Sequence, residues 1–284
     1  MYQLSLIYQE GSLVPQNSYK ASKLLKEAAD KGLCDAQYAY GVMLMEGVHI
    51  QKNMIEACVY LKLAANQNDP RAQYNLALIL YDGRGVEANP SQALHYIKMA
   101  VSQNFPRAKH SLGVFYREGR YIKQNNVLAA KLFKESADAG YHRAQNEYGL
   151  MLRDGIGVPK NYKEALHYFQ LSADQNDILA MMNLSIMYEY GLGTDEKPKK
   201  AMRLLKDAAD LGLPEAQYSY GKHLEEGKCL KKNLSKAAEY YQRAADQGDI
   251  EAAFSFGNML LKGRGVEKNP HLAQKYLSKS QNLY

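Results

Sequence analysis

Apolar residues along the chain follow two alternating helical patterns. The segment from Arg143 to Arg153 is apolar on nearly every side, which predicts a helix enclosed between neighbours. In the segment after it, apolar positions recur at i, i+3, i+4, i+7 and i+8, which predicts an amphipathic helix. Its buried face consists of Ala165, Tyr168, Phe169, Ser172 and Ala173. The pattern therefore predicts a pair of helices.

This pair recurs every 36 residues, without insertion or deletion, through the whole chain. Alanine fills one column of the repeat in all eight copies, and a second in seven. A fixed period of this length is typical of a repeat array. We therefore predict an all-α solenoid of eight two-helix repeats in one array over residues 1–284. The predicted repeats are 1–35, 36–71, 72–107, 108–143, 144–179, 180–215, 216–251 and 252–284.

Glycine and asparagine columns predict where the helices begin and end. Glycine directly after the first helix fits a left-handed C-terminal cap, where a Cβ atom would clash. The predicted caps are Gly47, Gly83, Gly119, Gly155, Gly191, Gly227 and Gly263. Asparagine at the start of the second helix is a favoured N-cap. The predicted N-caps include Asn53, Asn89 and Asn161. A further column at the end of the second helix holds only glycine or asparagine, which again fits a left-handed cap.

The turn Gly83-Arg84-Gly85 also resembles a phosphate-binding loop. It follows a helix, however, and lacks both the third glycine of a dinucleotide site and the Gly-Lys-Ser/Thr of a P-loop. We therefore interpret it as a helix cap. The second glycine of this turn is present in only four copies, so we expect it to be optional.

Small and bulky columns indicate how the helices pack. A column inside the first helix holds glycine, alanine or serine, and mid-helix glycine costs about 1 kcal/mol relative to alanine. We therefore expect close backbone approach there, to the alanine column of the second helix. A bulky column that includes Tyr40, Leu76 and Leu112 should be buried between stacked repeats.

The repeat unit resembles the Sel1-like repeat, a relative of the tetratricopeptide repeat. The resemblance rests on stretches such as AQYNLALILYDGRGVEANPSQALHYIKMA from Ala72, and it covers essentially the whole chain. It implies a right-handed α/α superhelix whose concave face is lined by the first helices. It also implies an adaptor that holds partner proteins, and no shared catalytic residues. The recurring cysteine pair of the cysteine-rich bacterial branch is absent, so that branch is disfavoured.

Composition narrows the possible partners. The net charge of +6 does not demand nucleic acid, and most tyrosines occupy packing columns rather than positions free to stack on bases. No run of 18 apolar residues is present, so we expect no membrane insertion. Three scattered cysteines, Cys34, Cys58 and Cys229, favour a reducing, cytoplasmic compartment over a disulfide framework. We expect Cys58 to be a buried or half-buried structural thiol.

No nucleophile–base pair or cluster of metal ligands is visible in the sequence. His95 and His167 share a repeat column but lie two repeats apart, too far to share a metal ion. We therefore expect no catalytic residue, no cofactor and no metal.

Two columns of the first helix are candidates for recognition. One is rich in methionine, a residue that suits adaptable binding surfaces, although packing on the adjacent repeat is the interpretation that we favour. Its candidate residues are Met43, Phe115, Met151, Met187 and Met259.

The other column is acidic in six of eight copies, just before the cap glycine. Acids there oppose the helix dipole, so their repetition invites a functional explanation. They either bond to the next loop and aid solubility, which we favour, or bind a basic segment of a partner. The candidates are Glu46, Asp82, Glu118, Asp154 and Glu226. Beside them runs a small polar column that includes Asn75 and Asn183.

We therefore predict a protein-interaction scaffold that binds an extended or helical peptide on the concave surface formed by successive first helices. The alternative is a regulatory or targeting region of a larger enzyme, for example a protein kinase. Neither end carries an obvious polar capping helix, which suggests a fragment of a longer protein or self-association.

Overall fold

The computed structural model describes residues 1–11 and 13–281. Within these residues the chain forms sixteen α-helices and no strand. The first helix of each repeat carries an odd number and the second helix an even number. The helices are α1 (Tyr2–Glu10), α2 (Ser18–Asp30), α3 (Cys34–Glu46), α4 (Met54–Asn66), α5 (Pro70–Asp82), α6 (Pro90–Ser102), α7 (Pro106–Glu118), α8 (Asn126–Asp138), α9 (His142–Asp154), α10 (Tyr162–Ala173), α11 (Ile178–Glu189), α12 (Pro198–Asp210), α13 (Pro214–Glu226), α14 (Leu234–Asp246), α15 (Ile250–Lys262) and α16 (Pro270–Gln281). The predicted all-α array of two-helix repeats is confirmed, with the first helices beginning two residues before the predicted repeat boundaries.

The chain divides into two compact units, Met1–Gly140 with α1 to α8 and Tyr141–Tyr284 with α9 to α16. In each unit a first helix packs against the second helix of its own repeat. It also packs against the second helix of the preceding repeat in that unit. Each repeat therefore completes the core of its neighbour, because one helical hairpin cannot bury its own apolar faces.

The predicted C-terminal caps of the first helices are confirmed with one correction. Six of the glycines cap their helices with φ between 64° and 80°. They are Gly47, Gly83, Gly119, Gly155, Gly227 and Gly263. The prediction for Gly191 is wrong by one residue, because α11 ends at Glu189 and Tyr190 is its cap. Gly191 still adopts φ 62°, and the next N–H, of Leu192, bonds to the carbonyl of Met187 at 2.9 Å.

The predicted N-caps of the second helices are also confirmed. The side-chain oxygens of Asn53, Asn89 and Asn161 accept hydrogen bonds of 3.1, 3.0 and 3.1 Å from backbone N–H groups three residues later. Lys197, at the equivalent position of α12, makes no such bond. The glycines and asparagines that end the second helices have positive φ, as predicted.

The second glycine of the turn after the first helix is optional, as predicted, although its position keeps a left-handed conformation when another residue occupies it. Where glycine is absent, His49, Tyr121 and Cys229 adopt φ of 63°, 58° and 62°. A Cβ atom on Gly85 would lie 2.5 Å from Cβ of Met54, the first residue of a second helix. The close approach of the turn to the preceding repeat explains why glycine recurs there.

The core consists of the alanine and bulky columns. The seven alanines equivalent to Ala36 are fully buried, and Tyr40, Leu76 and Leu112 are buried as predicted. The nearest neighbour of each mid-helix glycine is a large side chain of the second helix. The predicted approach to the alanine column is seen at two of them, since a Cβ atom on Gly221 would lie 3.3 Å from the carbonyl oxygen of Ala237, and one on Gly257 3.3 Å from that of Ala273. A Cβ atom on Gly149 would lie 2.7 Å from the ring of Phe169.

Buried glutamines tie successive repeats together, a feature that the sequence patterns did not reveal. Gln217, 1% exposed, accepts a 2.9 Å bond from Gln247 of its own repeat. It donates a 3.0 Å bond to the carbonyl of Ala209 in the preceding repeat. Gln73 and Gln103 form the equivalent side-chain pair at 3.0 Å in the first unit. These bonds satisfy polar groups that would otherwise destabilise the core.

Tyrosines of the second helices form another link between repeats. The hydroxyl of Tyr240 donates to Asp210 at 2.7 Å, and that of Tyr276 donates to Asp246 at 2.8 Å. In both cases the aspartate ends the second helix of the preceding repeat. The seventh repeat therefore presents a donor to the repeat before it and an acceptor to the repeat after it.

Candidate functional site

Grooves open between successive first helices at the same position of the repeat. Groove 1 lies between α5 and α7, with α6 as its floor, and has a volume of about 280 Å³. Leu78 and Tyr81 form one wall, Val114 and Phe115 form the other, and Ile97 lies in the floor. These five side chains come from three helices whose packing columns fix their spacing.

Aromatic rings dominate groove 1. Tyr81 packs edge-to-face against Phe115, with 5.4 Å between ring centroids, and against Tyr121 at 6.1 Å. The guanidinium of Arg120 donates to the Tyr81 hydroxyl at 3.2 Å and bonds to the Glu118 carboxylate at 2.9 Å. The rim charges are thus paired within the chain, and the walls are apolar.

Groove 2 lies three repeats further along the sequence, between α11 and α13, with a volume of about 340 Å³. Its walls occupy the positions equivalent to those of groove 1, but with different chemistry. Glu189 replaces Tyr81, Lys222 replaces Val114 and His223 replaces Phe115.

A charged network fills part of groove 2. The Glu189 carboxylate lies 3.4 Å from Nε2 of His223 and 2.8 Å from Nζ of Lys228. The side chains of Glu189 and His223 are only 10% and 13% exposed. His223 is the one polar member of the methionine-rich column. Since a buried charge is costly without a partner, His223 and Lys228 explain how Glu189 is accommodated.

Groove 3 lies between α13 and α15, again at the equivalent position, with a volume of about 390 Å³. Asn258 and Lys262 line it, and Arg264 pairs with Glu225 at 3.2 Å. Phe254, also in its lining, is 56% exposed. The three grooves therefore share one location in the repeat and differ in apolar and charged character.

The methionine-rich column requires a correction, because its side chains lie in the core. Met43, Met151, Met187 and Met259 are at most 6% exposed, so the interpretation of these four as recognition residues is wrong. They pack between helices, which is the interpretation that the sequence analysis favoured. Phe115 is 8% exposed, yet one side of its ring forms a wall of groove 1.

The acidic column is exposed, but most of its charge is paired within the chain. Asp82 bonds to Arg84 at 2.8 Å, and Glu118 bonds to Arg120 at 2.9 Å. Asp154 bonds to Arg153 at 2.8 Å, and this guanidinium lowers the pKa of the Asp154 carboxyl group. The two other candidate acids form no ion pair with any residue that the structure describes. They are Glu46 and Glu226.

The two candidate asparagines differ in their surroundings. Asn75 is half-buried. Asn183 is half-buried and bonded on both sides, donating to Asn146 at 2.9 Å and accepting from Arg153 at 3.3 Å. Asn183 thus links the first helices of successive repeats, so its amide already has partners inside the chain.

The cysteines, the potential metal ligands and the apolar character of the helices are three further possible sources of function. Cys34 and Cys58 are half-buried, and burial raises the pKa of both thiols, as expected for structural cysteines. Over residues 1–11 and 13–281, no group of three or more histidine, cysteine, aspartate or glutamate residues is placed to hold a metal ion. No helix in that part of the chain combines the length and apolar character needed to cross a bilayer.

Comparison with known proteins bears on the whole chain. The Sel1 repeat family model matches residues 1–33, 34–69, 70–105, 106–141, 142–177, 178–213, 214–249 and 250–280. No curated protein matches.

Two solved structures are similar over nearly the full length. A protective antigen of uropathogenic Escherichia coli, c5321, is 27% identical with a TM-score of 0.80, and the match covers 99% of this chain and 60% of that one. A Sel1 repeat protein from Oxalobacter formigenes is 29% identical with a TM-score of 0.74, covering 99% and 81%. The family model spans almost every residue from 1 to 280. The chain therefore belongs to the Sel1 repeat family.

Proposed function

We propose that this protein is a scaffold that binds a partner protein or peptide through the surface formed by its first helices. Sel1 repeat proteins are generally protein-interaction scaffolds and are typically non-enzymatic. The observation that carries the proposal is the recurrence of grooves at one repeat position in both units. Each groove is lined by residues of two neighbouring first helices, an arrangement that suits a peptide segment.

Variation within the chain supports this assignment. The positions that pack repeats together hardly change from copy to copy, as in the alanine columns. Several positions in the groove walls change in chemical character, for instance from Tyr81 to Glu189 and from Val114 to Lys222. Packing restricts the first set, whereas the second set is free to specialise for contacts with other molecules.

A basic segment of the partner remains part of the proposal, but only at two positions. Glu46 and Glu226 are exposed, and their carboxylates can attract a lysine or arginine. Asp82, Glu118 and Asp154 contribute less, since arginines of the same chain already neutralise them. We also propose a reducing compartment such as the cytoplasm, on the basis of three cysteines too scattered in sequence for a disulfide framework.

The proposal can be tested by selecting binders from a displayed library of random peptides on the immobilised full chain. Two groove variants exchange residues that the repeat already tolerates at equivalent positions, Val114→Lys in groove 1 and Lys222→Val in groove 2. The matched control is Val59→Lys on the outer side of α4, where Val59 is 53% exposed and its equivalent in the first unit is Lys131.

We expect enriched peptides whose affinity falls about tenfold or more in at least one groove variant. Their affinity for Val59→Lys should stay unchanged. The proposal fails if no peptide is enriched, or if the enriched peptides are insensitive to both groove variants.

A further inference from the structure

We infer that groove 1 binds a single uncharged apolar side chain, aromatic or branched aliphatic, that projects from a partner segment. This deepens the proposed function and rests on it, because it assigns a chemistry to one of the grooves on the first-helix surface. The geometry and the charges lead to the same assignment.

The size and lining of groove 1 fit one side chain. Its volume of about 280 Å³ lies at the lower end of the range of roughly 300 to 1,000 Å³ that holds whole small molecules. The walls are Leu78, Tyr81, Val114 and Phe115, which offer apolar contact on both sides. Pockets of this kind receive the anchor residues that dominate protein interfaces.

The charges around groove 1 exclude a charged occupant. Glu118 is paired with Arg120 at 2.9 Å, and Asp82, at the end of the same wall as Tyr81, is paired with Arg84 at 2.8 Å. An incoming ammonium or carboxylate would lose its hydration without finding a free counter-ion. The charge pattern of the rim is thus complementary to a neutral side chain.

Tyr121 lies beside Tyr81 of the aromatic wall, in a left-handed backbone conformation. Its φ of 58° lies in the left-handed region, which bulky residues rarely adopt, and four other repeats carry glycine at this position. Its ring is 60% exposed and lies 6.1 Å from the ring of Tyr81, centroid to centroid.

Groove 2 provides the contrast within the same protein. Where groove 1 has Tyr81 and Phe115, groove 2 has the Glu189–His223 contact, and the residue equivalent to Tyr121 is Cys229. An apolar side chain in groove 2 would displace water from Lys222 and Glu189 without replacing its hydrogen bonds. The apolar assignment is therefore specific to groove 1.

The inference can be tested with three capped amino acids and the ¹³C-methyl spectrum of the full chain. The probes are N-acetyl-phenylalaninamide, N-acetyl-lysinamide and N-acetyl-glutamate amide. We expect N-acetyl-phenylalaninamide to cause saturable shifts at the methyl groups of Leu78 and Val114 and none at Val59 on the outer side of α4. In Val114→Lys the shifts at Leu78 should be lost.

Tyr121→Gly provides a variant in which the strained residue is replaced by the glycine of other repeats. We expect it to weaken binding of the aromatic probe by about 2- to 10-fold, since one aromatic contact is removed. Its thermal unfolding should confirm that the fold is intact.

Two results would overturn the inference. One is an absence of shifts at Val114 with the aromatic probe, and the other is an equal response to the lysine or glutamate probe. The outcome is separable from that of the proposed function. If the selected peptides bind only through groove 2, the scaffold proposal would stand and the inference about groove 1 would fail. If groove 1 responds to the aromatic probe but the library yields no binding peptide, the inference about groove 1 would stand and the scaffold proposal would fail.

Discussion

Gly149 offers a quantitative test of how tightly the two helices of a repeat approach each other. It lies in the middle of α9, where alanine would add about 1 kcal/mol of helix stability. A methyl group on Gly149 would lie 2.7 Å from Cε1 and 2.8 Å from Cδ1 of Phe169. Phe169 is fully buried, so its ring has no free space to enter, and overpacking costs about 1 to 3 kcal/mol. We therefore expect Gly149→Ala to lower the free energy of unfolding by about 1 kcal/mol.

Thermal unfolding followed by circular dichroism measures this effect, with an expected fall in Tm of about 2 to 4 °C. The matched control is Gly149→Ala combined with Phe169→Ile, since Ala77 and Ile97 occupy these positions in the third repeat. The double variant should be more stable than Phe169→Ile alone, because the methyl group then fills space left by the smaller side chain. A Gly149→Ala protein at least as stable as the wild type would show that the ring yields freely, which refutes the reasoning.

Three further outcomes follow from caps, bridges and burial. Asn161→Ala removes an N-cap hydrogen bond and should lower the free energy of unfolding by about 1 kcal/mol. Lys197→Asn supplies the cap that α12 lacks and should raise Tm. A higher Tm for Asn161→Ala would contradict the capping role. Gln217→Leu leaves two hydrogen-bonding partners unsatisfied and should lower the free energy of unfolding in urea by about 1 to 3 kcal/mol. An unchanged midpoint would argue against a stabilising role of these hydrogen bonds. Cys58 should react with iodoacetamide more slowly than the exposed Cys229, because burial raises the pKa of the Cys58 thiol; equal rates by peptide mass spectrometry would contradict this.

The period, the helices and their ends were predictable because local backbone chemistry determines them. Asn161 can cap a helix only at its start, and Gly155 adopts the left-handed conformation that ends one. Gly191 shows the limit of this reasoning, since α11 ends one residue earlier although the glycine keeps its conformation. A column thus predicts the turn more reliably than the last helical residue.

The grooves were not predictable because their walls come from separate repeats. Tyr81 and Phe115 belong to columns that look like an ordinary variable position and an ordinary core position, and only the packing of α5 beside α7 brings them together. The sequence left two interpretations of Met151 for a related reason. Methionine suits both cores and adaptable surfaces, and a helix enclosed on most sides gives no periodicity that separates the two.

The hydrogen bonds between repeats also bear on how a repeat can be lost during evolution. Tyr240 reaches Asp210 and Tyr276 reaches Asp246, in each case 30 residues back. Deletion of residues 214–249, one complete family repeat, would bring Tyr276 to Asp210, the same kind of partner that it has now. Because this deletion would preserve the junction, a whole repeat can be lost at this point without a new interface having to evolve.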